Sequence, residues 1–310
     1  MHRSAVNVSA RRLSSKAIKF AFLIIFSSAI LPYGVHAQTV AGFPSGKAFA
    51  VSSAHRISEF CILTPRTLCT PPPPSFAPEK SEQRSPASDL IIIFRRFPRD
   101  QVGILAAPFR PSNLKWDALF LAGTGIVIAT DKHTTGAVGP DHINISRDIS
   151  NVGFYGTSAV TGALWFSGIV THNDHARETG VLSAEALADA FPLYIVVRYG
   201  LGRQRPNEGN GHGLFFKNRA YGSAFPSGHA LFTWTMATVI AHEYPARWVK
   251  FLAYGTAAAV SITRFTGREH FLADVGVGSA LGYLIGRHIF NAHCSEAFSA
   301  ACHNPTVRED

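Results

Sequence analysis

Charge is scarce in this 310-residue chain: Asp, Glu, Lys and Arg together make up 16% of it, against 46% hydrophobic residues. So low a charge content excludes a disordered polyelectrolyte and leaves enough apolar material for a sizeable core. Cysteine occurs four times and never as C-x-x-C, which removes zinc-ribbon and thioredoxin-like readings. Twenty-six glycines and 18 prolines are too few for a collagen-like chain. Acids are missing altogether from residues 1–37, which hold Arg3, Arg11, Arg12, Lys16 and Lys19. Setting those five cations aside lowers the net charge from +9 to +4, and a nucleic-acid partner loses its support.

The same 37 residues have the layout of an export signal. A basic stretch ends at Lys19, Phe20 to Leu31 is an apolar run, and Val35-His36-Ala37 offers small residues for cleavage. The run is short for a membrane span, so cleavage after Ala37 is expected over retention as an anchor. The mature protein is then periplasmic or otherwise extracytoplasmic. Cys61 and Cys69, and Cys294 and Cys302, are each eight apart. In an oxidising compartment the simplest arrangement is two local disulfide loops, with free thiols as the alternative.

Residues 38–111 read as an irregular Pro-rich extension, from the Pro71–Pro74 run and the polar stretch from Pro78 to Arg84. Asp89 to Phe94 could add one short strand or helical turn. Residues 112–292 read as the catalytic domain and 293–310 as a tail. Helices are expected at Leu114–Thr130, Ser150–Val170, Ser183–Tyr199, Ser227–Glu243, Ala246–Arg264 and His270–Phe290, each opened or closed by capping residues, charge or proline. No strand alternation interrupts them, so the fold class is all-α, a six-helix bundle. Ile149 to Thr171 lacks any charged residue or histidine and is long enough to span a bilayer. Ala118–Thr130, Phe251–Thr263 and Val275–Gly286 are shorter apolar runs of the kind found in core helices. The domain therefore reads as soluble or peripheral, with membrane association left open.

Three segments carry chemistry. In Arg198-Tyr-Gly-Leu-Gly-Arg-Gln-Arg205-Pro206 the outer arginines are seven apart, two helical turns, which predicts two guanidiniums on one face for a multiply charged oxyanion. Phe225-Pro226-Ser227-Gly228-His229 opens a helix whose orphan N–H groups suit phosphate, with Gly228 permitting close approach, Ser227 adding a hydroxyl and His229 a proton. In Arg264-Phe-Thr-Gly-Arg-Glu-His270-Phe-Leu-Ala-Asp274, the four-residue spacing of His270 and Asp274 predicts a shared helix face. There the carboxylate would take the Nδ1 proton and leave Nε2 as nucleophile. His172-Asn173-Asp174-His175 reads as a solvated turn rather than a metal site. Lys217, Arg219 and His212 are equally compatible with substrate contact and with solvation.

Taken jointly, R-x6-RP, PSGH and R-x5-H-x3-D resemble the signature of the type-2 phosphatidic acid phosphatase and vanadium haloperoxidase superfamily, over roughly Asn113 to Ala292. Lysine is usual in that family where this chain has Arg198, and serine where it has Thr263. The resemblance implies a helical bundle of the acid phosphatase type and a metal-independent phosphomonoesterase. His270 would be the nucleophile, Asp274 its orienting group and His229 the general acid. Arg198, Arg205, Ser227, Gly228 and Arg264 would hold the phosphoryl oxygens. It implies no cofactor, with vanadate as an inhibitor, and a lipid phosphate or soluble ester as substrate. A haloperoxidase using vanadate as its cofactor, and a non-catalytic oxyanion-binding module, are the competing readings.

Overall fold

A computed structural model describes residues 85–218 and 222–303. The export segment, the polyproline run, Cys61, Cys69 and Arg219 lie outside the described residues. All regular structure among the described residues is helical. The helices are α1 (Pro86–Ala106), α2 (Leu114–Gly136), α3 (Ile143–Val170), α4 (Asp174–Leu201), α5 (Gly228–Glu243), α6 (Arg247–Thr266) and α7 (Leu272–His293), with short 3-10 turns at Ala107–Phe109 and Ala300–His303.

Helix α1 corrects the expectation of an irregular segment up to residue 111. Its sequence has little local reason to be ordered, but two acids tie it to distant elements. Asp89 accepts from Arg177 Nε at 2.9 Å and from Trp165 Nε1 at 3.0 Å, and Asp100 pairs with His293 at 2.8 Å. Tertiary hydrogen bonds of this kind are invisible to composition. Helices α3 and α4 also start earlier than expected. Asn173 caps α4 by accepting from the Ala176 N–H at 3.0 Å, so His172–His175 is a helix start, and its His175 pairs with Glu243 at 3.1 Å.

Helix α5 is apolar all round and accordingly central. Its buried threonines satisfy their hydroxyls within the helix: Thr235 donates to the Leu231 carbonyl at 2.8 Å and Thr238 to that of Trp234 at 2.7 Å. Leu231 and Val239 of α5 meet Leu182, Ala186 and Ala190 of α4 and Ile285 and Ile289 of α7 in the main core. Each such fully buried aliphatic side chain contributes about 1.5–3 kcal/mol. Close approach of α5 and α7 depends on Gly278, Gly282 and Gly286, spaced one turn apart. A Cβ at Gly282 would stand 2.2 Å from the Leu231 carbonyl oxygen, and one at Gly278 2.6 Å from that of Ser227. This contact brings the start of α5 and the start of α7 together, and with them the PSGH and H-x3-D segments.

Beyond α7, Cys294 and Cys302 are joined in a disulfide with Cα atoms 5.7 Å apart, the local loop expected for that pair. Large apolar side chains remain on the outside of α2, α3 and α6, among them Leu121, Val152, Phe166, Trp248 and Phe251. Among the described residues, α4 is the one helix long and apolar enough to cross a membrane by length and composition.

Candidate active site

The three sequence segments converge at one end of the bundle. The Ser227 N–H donates to the Asp274 carbonyl at 3.0 Å, and the Ala224 N–H to the Arg203 carbonyl at 2.8 Å, so all three backbones are tied directly. Arg205 arrives differently from the two-turn expectation. Helix α4 ends at Leu201, and Gly202 adopts the left-handed conformation (φ 46°), closing against the Asn218 carbonyl. Arg205 therefore reaches the site from an extended segment, not from the helix face that carries Arg198.

His270 is 2% exposed and lies just before α7, whose first residue is Leu272. Its Nδ1 stands 2.7 Å from the Ala224 carbonyl oxygen, whereas the nearest Asp274 oxygen is 3.8 Å away. A carbonyl can only accept, so Nδ1 carries the proton and Nε2 keeps its lone pair. This corrects the expected Asp274–imidazole hydrogen bond, which required both residues to lie within one regular helix. Asp274 instead accepts from the Phe271 N–H at 2.8 Å and from Arg203 at 2.5 Å. Arg203, 1% exposed, also donates to Asp131 of α2 at 2.8 Å and to the Gly213 carbonyl at 3.0 Å, and its guanidinium lies over the rings of Phe271 and Phe215. The buried Asp131–Arg203–Asp274 array fixes the turn that presents His270.

A cationic cup adjoins this histidine. Arg205 and Arg264 both pair with Glu269 Oε2, the latter at 3.6 Å, and Arg147 of α3 pairs with Oε1 at 2.6 Å. Arg264 Nη1 also reaches Ser150 Oγ at 3.4 Å. Arg198 lies over the Tyr194 ring, 5.4 Å from its centroid, and the Tyr194 hydroxyl would be 2.9 Å from a Cβ on Gly228. Arg198 is thus linked to the start of α5 through Tyr194. Ser227 is the N-cap of α5, and among the described residues its Oγ, His229 Nε2 and Arg264 Nε are buried without hydrogen-bond partners. Buried polar atoms left in this way cost about 1–3 kcal/mol each unless a ligand satisfies them.

Burial, reinforced by the positive charge of Arg264 and Arg205, pushes His229 down to about 3. Burial and the same two arginines hold His270 well below the ordinary histidine range. Both rings are therefore neutral near pH 7, and a bound dianion would oppose the electrostatic part of each shift. His229 also packs on Phe154, with ring centroids 4.8 Å apart.

Arg147, Tyr194, Arg203 and Glu269 were not singled out from the sequence. Arg203 and Glu269 stand inside the quoted motifs, so their position was available as a signal. Arg147 and Tyr194 become visible only through the packing of α3 and α4. His212 pairs with Lys132 of α2 at 2.5 Å.

The segments of this helical bundle thus bring His229, His270, Arg205 and Arg264 to one end of it. The model of the PAP2 superfamily matches residues 116–296, and the chain belongs to that superfamily. It is also 31% identical over 91 residues to a protein named lipid A 1-phosphatase from Porphyromonas gingivalis. That stretch is 29% of this chain and 18% of the relative. No solved structure gives a significant match to the chain.

Proposed function

We propose that this protein is a metal-independent phosphatase that hydrolyses a lipid phosphate monoester through a phosphohistidine. The observation that carries this reading is the His270 Nδ1–H bond to the Ala224 carbonyl, which leaves Nε2 as a free nucleophile beside Arg205 and Arg264. In the first step, with His229 taking up a proton as the substrate dianion binds, His270 Nε2 forms a bond to phosphorus as the ester P–O bond breaks, and the His229 imidazolium passes that proton to the departing alkoxide and becomes neutral. In the second step water attacks the phosphohistidine, gives a proton to His229, and releases inorganic phosphate and neutral His270. Arg205, Arg264, Ser227 Oγ and the Gly228 N–H would hold the three non-bridging oxygens, doing electrostatically what a metal does elsewhere. Arg198 would contribute through the Tyr194 side of the cup, and Asp274 would act on His270 through the turn it anchors.

A lipid substrate is favoured by the apolar surface that α2, α3 and α6 present. An open groove of about 340 Å³ runs between α3 and α6, lined by Ile149, Val152, Gly153, Thr256, Ala259 and Val260 with Asp148 at one side. The groove lies on the same two helices that carry Ser150 and Arg264. An acyl or isoprenyl chain fits its apolar lining. The exposed apolar side chains of α2, α3 and α6 support association with a membrane surface, where such a substrate resides. The similarity to a lipid A 1-phosphatase agrees with this class of substrate.

A panel of short-chain phosphatidic acid, isoprenyl phosphate, sugar phosphate and nucleotide tests the assignment. The lipid phosphates should have the higher kcat/KM, and Val152→Asp should lower turnover of long-chain substrates more than that of p-nitrophenyl phosphate. A preference for sugar phosphates or nucleotides, or an equal effect of Val152→Asp on both kinds of substrate, would contradict it.

A further inference from the structure

Away from the cup, a second polar cluster joins three helices. Asp100 of α1, Glu185 of α4 and His293, the last residue of α7, place one ligating atom each within 4.8 Å of one another. Glu185 is fully buried and Asp100 is 3% exposed, and the His293 side chain is 12% exposed. Among the described residues, Glu185 Oε1 and Asp100 Oδ2 have no hydrogen-bond partner, and neither does Oδ2 of the neighbouring, fully buried Asp189. The other oxygens are held from outside: Arg96 donates to Glu185 Oε2 at 3.2 Å, and Gln101 to Asp189 Oδ1 at 2.8 Å. Among the described residues Arg96 is the one guanidinium paired directly with any of these three buried carboxylates, with Arg99 and His288 acting from farther off, and burial of carboxylates with so few direct partners is costly unless more positive charge enters.

We propose that Asp100, Glu185 and His293 form a structural site for a divalent transition-metal ion of the zinc class. Zinc takes one imidazole nitrogen and carboxylate oxygens at about 2.0–2.2 Å, so that tetrahedral ligand edges are about 3.3 Å. His293 Nε2 lies 2.8 Å from Asp100 Oδ1 and 3.7 Å from Glu185 Oε1, one edge on each side of that length. The partnerless Glu185 oxygen is the one directed at the histidine. Arg96 and Gln101 are placed as the outer groups that orient ligating carboxylates.

In the metal-free chain, His293 Nε2–H donates to Asp100. An ion at Nε2 takes the place of that proton, and the ring stays neutral by carrying its one proton on Nδ1 instead, exchanged through solvent. The ion would pin α1 to the bundle. The 22 residues of α7, about 33 Å long, separate His293 from the His270 end, so the site is structural and distinct from the phosphate chemistry.

The test uses the full chain, stripped with EDTA and then given Zn2+ alone. The proposal predicts one zinc per chain by elemental analysis, and a rise in melting temperature of a few degrees or more at saturating Zn2+. Turnover at 25 °C should be equal in stripped and loaded protein, so loss of the zinc effect and loss of the phosphatase reading are seen separately. Asp100→Asn and His293→Gln should each abolish the zinc-dependent rise. Glu185→Gln, which keeps shape and removes charge, serves if either variant fails to fold. Zinc content below one tenth per chain without a melting shift, or a shift that persists in all variants that fold, would overturn the proposal.

Discussion

His270 holds its Nδ1 proton against the Ala224 carbonyl at 2.7 Å, and this contact, rather than a carboxylate, fixes the ring. Asp274 sits one step back, as a partner of Arg203 at 2.5 Å and of the Phe271 N–H at 2.8 Å. Its effect on the reaction then runs through the position of the turn that carries His270.

Arg203 is the hub of that arrangement, and truncating it leaves Asp131 and Asp274 buried without their counter-charge. Arg203→Ala should cost about 3–5 kcal/mol of unfolding free energy, read by denaturant titration. A loss below about 1 kcal/mol would mean that the array contributes little to holding the site.

His229 is proposed to protonate the leaving oxygen, so its removal should hurt most where the leaving group is poor. His229→Gln should lose about 10²–10⁴-fold in kcat with alkyl phosphates and much less with p-nitrophenyl phosphate. Equal losses across leaving groups would remove His229 from that role.

Glu269 ion-pairs with Arg147, Arg205 and Arg264, so an incoming phosphate competes with a resident carboxylate for the same N–H groups. Glu269→Gln should tighten inhibition by vanadate by about tenfold, corresponding to ~1.4 kcal/mol. Weaker inhibition would show that Glu269 organises the guanidiniums instead of competing for them.

The sign of one pH effect follows from His229. Its folded value, about 3, lies below that of an ordinary histidine, so the unfolded chain takes up a proton there first. Stability associated with this position is present near neutral pH and is lost as pH falls from about 6.5 toward 3. Relative to wild type, His229→Gln should therefore become more stable as pH is lowered from 7 to 4. A constant difference in melting temperature over that range would contradict the shift.

Much of the site was legible because chemistry constrains residue type and spacing: arginines for oxyanions, a helix start with Pro-Ser-Gly, and two histidines. The all-α class followed from the apolar segments and their caps. What the sequence concealed was set by distant partners. The spacing of His270 and Asp274 suggested a shared helix face, but α7 begins only at Leu272. The seven-residue spacing puts Arg205 on the helix of Arg198, but the left-handed Gly202 ends that helix first. Helix α1 was missed because Asp89 and Asp100 look solvated in isolation and are buried by Arg177 and His293.

The central claim is a covalent bond between His270 and phosphorus, and rapid acid-free quenching of the enzyme during turnover tests it most directly. Mass spectrometry of the digested protein should find an acid-labile, alkali-stable phosphoryl group on the peptide containing His270, absent in His270→Ala, whose turnover should also collapse. Full turnover by His270→Ala, or a phosphoryl group that maps to another residue, would contradict the account.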